Sequence, residues 1–347
     1  MKKILFKNLL KFTKKSFQKI GMKDSDAKQI AYCLCETSLR GVDSHGIKLL
    51  PHYLMSAEYG RKNPRPKFEI KKKYPCLIKL NADHAFGHIA GLKAISIGTK
   101  ISNKYGICAV SVTNSSHPGA MASIALRAAE KGYICICFTN ADPLIRSTNS
   151  KRSFFGTNPI CISVPRKEII PYCLDMATSK ISWNKLMEMK KAKKKAKEFY
   201  GSDIAGKDIK LLKNIVSLLP TGGYKGFGLA SMVEILCGVY SGMEYGRKLK
   251  PMYTTPLSLK RKLSQFYIIL KTDGSVRKND FIKRMQLLTN SVRKEPKLNK
   301  KESVMLPNDP EIKKLKLRLK NGIPLSDELF TNLKNISLKY NIKLDLK

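Results

Sequence analysis

The stretch Arg40-Gly41-Val42-Asp43-Ser44-His45-Gly46-Ile47 places a serine beside a histidine, between two glycines. A short polar turn of this kind can present an imidazole to a ligand. Histidine is also the side chain whose unperturbed pKa lies nearest to neutral pH. The alternative is structural: Ser44 caps the next helix while His45 hydrogen-bonds to backbone. On the turn alone we favour that alternative, because an isolated Ser-His pair is a weak motif.

The residues on both sides of this turn have the apolar spacing of helices. One helix is predicted over 6–20, and a second, capped by Asp24 or Ser25, over 24–41. Gly41 can end that helix because glycine adopts a left-handed backbone conformation without strain. A third helix is expected after the turn. The polar, proline-containing segment 61–66 then indicates a domain boundary.

Beyond this segment, short apolar runs alternate with helical patterns, which is typical of a layered α/β domain. The tail is amphipathic again from residue 311, and we expect it to pack on the N-terminal helices. The sequence thus predicts a helical segment over 1–66, an α/β domain over 67–307 and a helical C-terminal segment over 308–347. A lysine-rich run at 190–197 is expected to be a solvated helix face. Strands are predicted at 76–80, 107–112, 133–139, 160–164, 172–174 and 265–270, and helices at 88–105, 119–131 and 227–240.

The composition is strongly basic, with a formal net charge of +40 over 347 residues. Such a charge can indicate a nucleic-acid partner. However, lysine outnumbers arginine and is spread along the whole chain, as an AT-biased genome would encode. No nucleic-acid motif accompanies the charge. We therefore expect no specific nucleic-acid partner.

The nine cysteines are scattered through apolar segments, their number is odd, and no Cys-x-x-Cys pair occurs. This pattern argues against a metal site or a disulfide framework and favours a reducing cytoplasm. No apolar run reaches the ~18 residues that a membrane helix needs. We therefore expect a globular protein without a membrane partner.

Further segments carry groups suited to a ligand. His117 lies between a predicted strand and a predicted helix, where α/β enzymes usually place ligand groups. Just ahead of the helix N-terminus, it could face an anion or a developing oxyanion, and the alternative is a loop-ordering histidine. In the last of these segments Lys225 adds a charge to a glycine-rich helix start. The segments are Asn114-Ser115-Ser116-His117-Pro118-Gly119-Ala120, Phe155-Gly156-Thr157-Asn158-Pro159, Leu174-Asp175-Met176-Ala177-Thr178 and Gly222-Gly223-Tyr224-Lys225-Gly226-Phe227-Gly228-Leu229.

Together and in this order, these segments resemble the malate/L-lactate dehydrogenase family of the non-Rossmann type, which includes ureidoglycolate dehydrogenase. The stretch Met243-Glu244-Tyr245-Gly246-Arg247, followed by Met252-Tyr253, looks most like ureidoglycolate dehydrogenase. The resemblance implies an α/β fold with a non-Rossmann NAD(P)-binding mixed-sheet domain and a helical domain from the two terminal segments. It also implies a homodimer with an active site between domains.

The resemblance further implies an NAD(P)-dependent oxidoreductase that transfers hydride between nicotinamide and a small 2-hydroxy or 2-oxo acid. NAD is the expected cofactor, with NADP as the alternative, and no metal is expected. A proton must move opposite to the hydride, and His45 and His117 both remain candidates for its carrier. By resemblance, the implied site comprises His117, His45 and Ser44 for catalysis, Tyr53, Lys48, Thr157 and Asn158 for the substrate, and Asp175, Met176, Ala177, Lys225, Gly226, Pro307, Asn308 and Asp309 for the cofactor.

Some positions depart from the family pattern. Leu49 stands where most relatives carry an arginine that binds the substrate carboxylate. Lys48 does not replace that arginine directly, because a shift of one residue turns a helical side chain by about 100°. Arg146, the pair Asn149-Ser150, and Asn308 also replace small residues. These changes support an alternative hypothesis, a drifted member with the fold retained but weak or no catalysis.

Overall fold

The computed structural model describes residues 2–346 and begins with β1 (Lys2–Ile4), α1 (Phe6–Lys19), α2 (Asp24–Leu39) and α3 (Leu50–Glu58). Two 3-10 turns, Asp43–His45 and Ile47–Leu49, join α2 to α3. The predicted cap of α2 is wrong. Lys23 is the N-cap and makes no side-chain hydrogen bond, whereas Asp24 lies in the first turn, where a carboxylate favours the helix dipole.

The main sheet has seven strands in the order β2-β3-β4-β13-β5-β8-β9. Neighbours β3 and β4 run parallel and the other neighbours run antiparallel, so the sheet is mixed, as predicted. The strands are β2 (Glu69–Tyr74), β3 (Leu77–Asn81), β4 (Ile107–Ser115), β5 (Tyr133–Thr139), β8 (Ile160–Val164), β9 (Tyr172–Met176) and β13 (Leu263–Lys271).

Helices cover both faces of this sheet. On one face, α4 (Gly87–Tyr105) and α5 (Ala122–Ala129) share a buried core with the strands. On the other face lies α7 (Tyr224–Glu234), which continues as a π-helical turn over Ile235–Tyr240. Because α5 begins at Ala122 rather than near residue 119, the segment 116–121 is a loop that follows β4.

A second sheet of five strands, in the order β11-β10-β12-β6-β7, packs with α6 (Trp183–Lys191). Most of this sheet has no clear sequence pattern, because three of its strands have only two residues each. The lysine-rich run at 190–197 was predicted to be a helix face, but only its first two residues are helical, because α6 ends at Lys191. The strands are β6 (Pro143–Arg146), β7 (Ser153–Gly156), β10 (Gly201–Ser202), β11 (Asp208–Ile209) and β12 (Ser217–Leu218).

The C-terminal part comprises α8 (Lys278–Lys294), α9 (Asp309–Asn321), β14 (Ile323–Leu325) and α10 (Asp327–Tyr340). Strand β14 pairs antiparallel with β1, and side chains from β14 and α10 share a core with α1, α2 and α3. The two ends of the chain therefore meet in one helical layer.

The segment predicted as a polar boundary is partly interior, because Arg61 and Lys62 are only 2% and 3% exposed. Across residues 2–346, no helix is both long and apolar enough to cross a membrane. The nine cysteines are free thiols, and all except Cys76 are buried.

Candidate active site

The fold brings the two candidate histidines together. His45 lies in the first 3-10 turn and His117 lies just after β4, yet their rings stack with centroids 5.8 Å apart and planes inclined by 29°. The Ser44 hydroxyl lies 2.8 Å from Nδ1 of His45. Ser44 therefore holds one nitrogen of the imidazole, rather than capping the next helix.

Tyr53 on α3 holds His117 in a similar way. Its hydroxyl lies 2.8 Å from Nδ1 of His117 and 3.2 Å from the backbone carbonyl oxygen of the same residue. When Nδ1 is unprotonated, the hydroxyl donates to it. When Nδ1 carries a proton, Nδ1 donates to the hydroxyl oxygen, and the hydroxyl can turn to the carbonyl. His117 therefore keeps a hydrogen-bond partner in both protonation states.

The surroundings of both histidines disfavour their charged forms. Burial lowers the pKa of His117 well below its ordinary value, and nearby His45 and Lys62 lower it further. Burial also lowers the pKa of His45, although the more distant carboxylate of Glu188 opposes this effect. At neutral pH both imidazoles are therefore uncharged, which is the form that can accept a proton.

The histidines line a cavity of about 250 Å³ between the sheets. Asn184 on α6 donates to the Ser44 carbonyl at 3.1 Å and so joins the second sheet to the Ser-His turn. Asp142 accepts a hydrogen bond from the Met252 backbone at 2.7 Å and is ion-paired with buried Arg261. The lining residues are His45, His117, Ala141, Asp142, Pro143, Leu144, Thr157, Ser182, Trp183, Asn184, Pro251, Met252, Tyr253 and Thr254.

The sequence motifs do not include four residues of this site, Asp142, Arg261, Trp183 and Asn184. Each lies in a segment without a recognisable motif, and its relation to the histidines depends on long-range packing. Only Asp142 has a local signal, because it lies three residues after the buried strand β5.

The predicted substrate residues separate into two groups. Tyr53 contacts His117, and Thr157 lines the histidine cavity. Lys48 instead lies 3.3 Å from Glu188 and, with Leu49, lines a different cavity of about 300 Å³.

Asn158 is buried, and protein groups satisfy its amide. Its Oδ1 accepts from the Ala141 N–H at 3.2 Å, while Nδ2 donates to the Ala230 carbonyl at 2.9 Å and to Glu234 at 2.6 Å. Against the prediction, the structure therefore gives Asn158 a structural role.

Several predicted cofactor residues meet in a cavity of about 380 Å³ that Ala120 and Ala122 also line. Asp175 is open to this cavity but otherwise surrounded by protein, and this desolvation raises its pKa to about 6. Its carboxylate accepts the Ala122 N–H at 2.8 Å. The N-terminus of α5, where we expected an anion that His117 could face, is therefore contacted by the Asp175 carboxylate.

Asn308 borders the same cavity and explains one departure from the family pattern. Its φ of +81° is left-handed, a conformation that asparagine tolerates better than most residues. Its side chain accepts from Arg40 at 2.6 Å and donates to the Pro171 carbonyl at 2.9 Å. Pro307 lines the cavity beside it, whereas Asp309 pairs with Arg293 at 2.6 Å on its outer side.

The other predicted cofactor residues lie apart from this cavity. Met176 and Ala177 follow Asp175 at the end of β9 and are half-buried. Lys225 is exposed at the start of α7. Gly226 is buried there, and a Cβ at this position would lie 1.8 Å from the Thr221 carbonyl oxygen, so the turn into α7 requires glycine.

This chain is similar to known proteins over almost its whole length. The family model of malate/L-lactate dehydrogenase matches residues 4–334. Malate dehydrogenase of Pyrococcus abyssi (strain GE5 / Orsay) is 30% identical, with 96% of this chain and 94% of that protein covered. Ureidoglycolate dehydrogenase (NAD(+)) of Escherichia coli (strain K12) is 28% identical, with 94% and 93% covered. The crystal structure of malate dehydrogenase from Entamoeba histolytica has a TM-score of 0.93 at 27% identity, over 99% of each chain.

Proposed function

Because the chain belongs to the malate/L-lactate dehydrogenase family, we propose that it is an NAD(P)-dependent oxidoreductase acting on a small 2-hydroxy acid or 2-oxo acid. The observation that carries this proposal is the contact of buried Tyr53 with His117, which lines a cavity together with His45. Oxidation of a secondary alcohol needs a base at the hydroxyl, and this arrangement supplies one.

We propose His117 as the acid/base and His45 as the group that orients the substrate hydroxyl. Tyr53 occupies Nδ1 of His117, which leaves the other ring nitrogen free for the substrate proton. When Nδ1 is protonated and donates to the Tyr53 hydroxyl oxygen, that hydroxyl donates to the His117 carbonyl, so the other ring nitrogen can take up and return the substrate proton while Nδ1 keeps its partner. Ser44 holds His45 at one nitrogen only, and that contact has no second acceptor of this kind.

The residues of the two cavities fit a nicotinamide dinucleotide, which supplies the hydride carrier when bound. The cavities lie along one chain segment, one lined by His117 and the other by Ala120 and Ala122. The Asp175 carboxylate, open to the second cavity, is suited to accept hydrogen bonds from ribose hydroxyls. We propose that the cofactor site is completed by residues beside this cavity and by others that lie apart from it, and that NAD is the cofactor, with NADP as the alternative. These residues are Met176, Ala177, Lys225, Gly226, Pro307, Asn308 and Asp309.

For the substrate, we propose ureidoglycolate or a malate- or lactate-like acid. The relatives named above act on malate or ureidoglycolate by their names. No lysine or arginine is among the residues described as lining the histidine cavity, which favours weak binding of the substrate carboxylate. The same observation supports the alternative, a drifted member that keeps the fold and has weak or no catalysis.

We further propose a homodimer. On α7 and the π-helical turn, large apolar side chains at helical spacing are between 39% and 59% exposed, more than an isolated surface usually leaves open. The free thiols support a reducing compartment such as the cytoplasm. We also propose that 1–66 and 308–347 form one helical unit beside an α/β unit over 67–307, with the histidine site between them. The exposed apolar residues are Leu229, Met232, Ile235, Val239 and Tyr240.

The test is a turnover assay that follows the absorbance of reduced nicotinamide. The purified protein is mixed with NAD or NADP and with ureidoglycolate, malate or lactate in parallel. We expect turnover with one of these acids and its loss in His117→Asn. Silence across the panel, with NADH binding intact by fluorescence, would support the drifted member, and silence without NADH binding would overturn the proposal.

A further inference from the structure

Lys62 is a buried lysine without a counter-ion. Its Nζ atom is inaccessible to solvent and has no hydrogen-bond partner among residues 2–346. It lies 3.3 Å from the centroid of the Tyr53 ring and 5.1 Å from that of Phe86. An enclosed amine without partners is costly, and the aromatic faces supply its main compensation.

The amine is close to the proposed proton carrier. Tyr53 lies between them, with its ring under Lys62 and its hydroxyl 2.8 Å from Nδ1 of His117. The centroids of the Tyr53 and His117 rings are 6.3 Å apart. The amine and the imidazole are therefore no more than about 10 Å apart, with protein rather than water between them.

The other charged and titratable groups around His117 do not neutralise Lys62. His45 packs from the 3-10 turn and Arg261 acts from the start of β13; His88 on α4 is buried, with no partner for either ring nitrogen. The carboxylates of Asp142 and Glu188 are already engaged, Asp142 with Arg261 and Glu188 with Lys48. The positive charge of a protonated Lys62 therefore acts on His117 and is not neutralised by these carboxylates.

We propose that Lys62 is a positioning residue for proton transfer, acting on His117 through the Tyr53 ring. The inference rests on the proposed function, because it assigns His117 as the proton carrier. The amine of Lys62 and the imidazole of His117 lie close together, and the carboxylates of Asp142 and Glu188 are paired with other groups. A proton on one of the two bases therefore disfavours a proton on the other. Burial lowers the pKa of both groups, and lysine starts about four pH units more basic than histidine, so the amine takes up a proton before the imidazole does.

Burial and the neighbouring Arg261 and Arg61 lower the pKa of Lys62 well below its ordinary value, so its ammonium is sensitive to any added negative charge. A substrate carboxylate entering the histidine cavity supplies such a charge. Binding an acid substrate would therefore raise the pKa of Lys62, and the basicity of His117 would change in the same step.

The test replaces the amine with an apolar side chain of similar length, Lys62→Met. The protein has five histidines, so labelled imidazole resonances can be followed by NMR, and His117→Asn assigns the relevant one. At this separation and an effective dielectric constant of about 20, we expect the pKa of His117 to rise by about one pH unit in the variant. The acid limb of the pH profile of kcat/KM for alcohol oxidation should move to higher pH by the same amount. At a given pH on that limb, kcat/KM should then be about tenfold lower.

The matched control is Lys2→Met, since Lys2 lies 3.5 Å from the centroid of the Phe330 ring on the exposed surface. It should leave the His117 titration unchanged. If Lys62→Met does not fold, Lys62→Gln takes its place. An unchanged His117 titration in the folded variant overturns the inference, and so does loss of folding in both variants, because Lys62 would then be structural. The titration is measured in the free protein, so absence of turnover would overturn the proposed function while leaving this linkage to be judged separately.

Discussion

The Asp175 carboxylate accepts a hydrogen bond from the Ala122 N–H at 2.8 Å, so the end of β9 is tied to the start of α5. The positive end of the helix dipole stabilises the carboxylate there. This contact does not offset the desolvation of the carboxylate, because its pKa is still raised to about 6. Asp175 is therefore held in the cavity wall at a cost to the free protein, which is typical of a group that serves a ligand.

Asp175→Asn tests this conclusion. A raised folded pKa means that the folded state binds this proton more tightly than the unfolded state. The stability of the parent should therefore fall as pH rises from about 4 to 6. The variant keeps an acceptor for Ala122 and should lose this contribution, with an equal or higher Tm at pH 7. NADH binding, measured by fluorescence, should weaken about tenfold, because a hydrogen bond to a charged group is lost. Asp273→Asn, on the surface, is the control, and an unchanged pH dependence in Asp175→Asn would contradict the argument.

Tyr53→Phe tests the partner of His117. The hydroxyl should matter to proton transfer and little to substrate binding, so kcat should fall about 10- to 100-fold while KM changes little. Burial of the ring is preserved, and Tm should change by only a few degrees. Tyr253→Phe is the matched control, since Tyr253 lines the histidine cavity without a hydrogen bond to either histidine. Equal kcat values in both variants would show that Tyr53 is dispensable.

The sequence predicted those elements whose apolar residues repeat regularly. Strand β5 was predicted with its observed bounds, and α1 and α4 to within one residue. Strand β2 was missed because all six of its residues are exposed, so its sequence carries no burial pattern. Helix α8 was missed for a similar reason, since Thr289 is its one buried residue.

For the site, the family resemblance implied His45 and His117 with Ser44 and Tyr53, but not the buried charged residues Arg61 and Lys62. Arg61 and Lys62 stand in a polar, proline-flanked segment, which is typical of a solvated linker. Their burial depends on the Tyr53 ring and on a loop almost two hundred residues later in the chain. Such non-local contacts leave no periodic signal in the sequence.

The neighbours Thr157 and Asn158 should behave differently when substituted. Asn158→Ala leaves the buried Glu234 carboxylate without one of its two donors, the other being the Gly246 N–H at 2.7 Å. We expect a loss of about 3 kcal/mol in the free energy of unfolding, with KM little changed in the folded protein. Thr157→Val should retain stability and raise KM, because Thr157 lines the histidine cavity. Denaturant titration and steady-state kinetics separate the two effects. A raised KM with unchanged stability in Asn158→Ala would restore the predicted substrate contact.

Arg61 should control the wall of the histidine cavity from a distance. Its guanidinium donates to the carbonyls of Met252 at 2.7 Å, Pro256 at 3.0 Å and Thr255, and Met252 itself lines the cavity. Arg61→Met leaves these carbonyls without their donor, so we expect a loss of about 2–4 kcal/mol in stability and a loosened loop. KM for the acid should then rise more than kcat falls, because the loop shapes the substrate cavity. NADH binding should weaken less than substrate binding, because Asp175 lies in the other cavity.

The exposed Arg65, four residues later, provides the control variant Arg65→Met. Limited trypsin digestion with mass spectrometry reports on the loop directly, since Lys248 and Lys260 flank it and neither is followed by proline. Cleavage at these lysines should accelerate in Arg61→Met and not in Arg65→Met. If the two variants are cleaved at the same rate while both lose stability, the guanidinium stabilises the fold in general and does not hold the cavity wall. A faster cleavage together with an unchanged KM would show instead that the loop is anchored by Arg61 but takes no part in substrate binding.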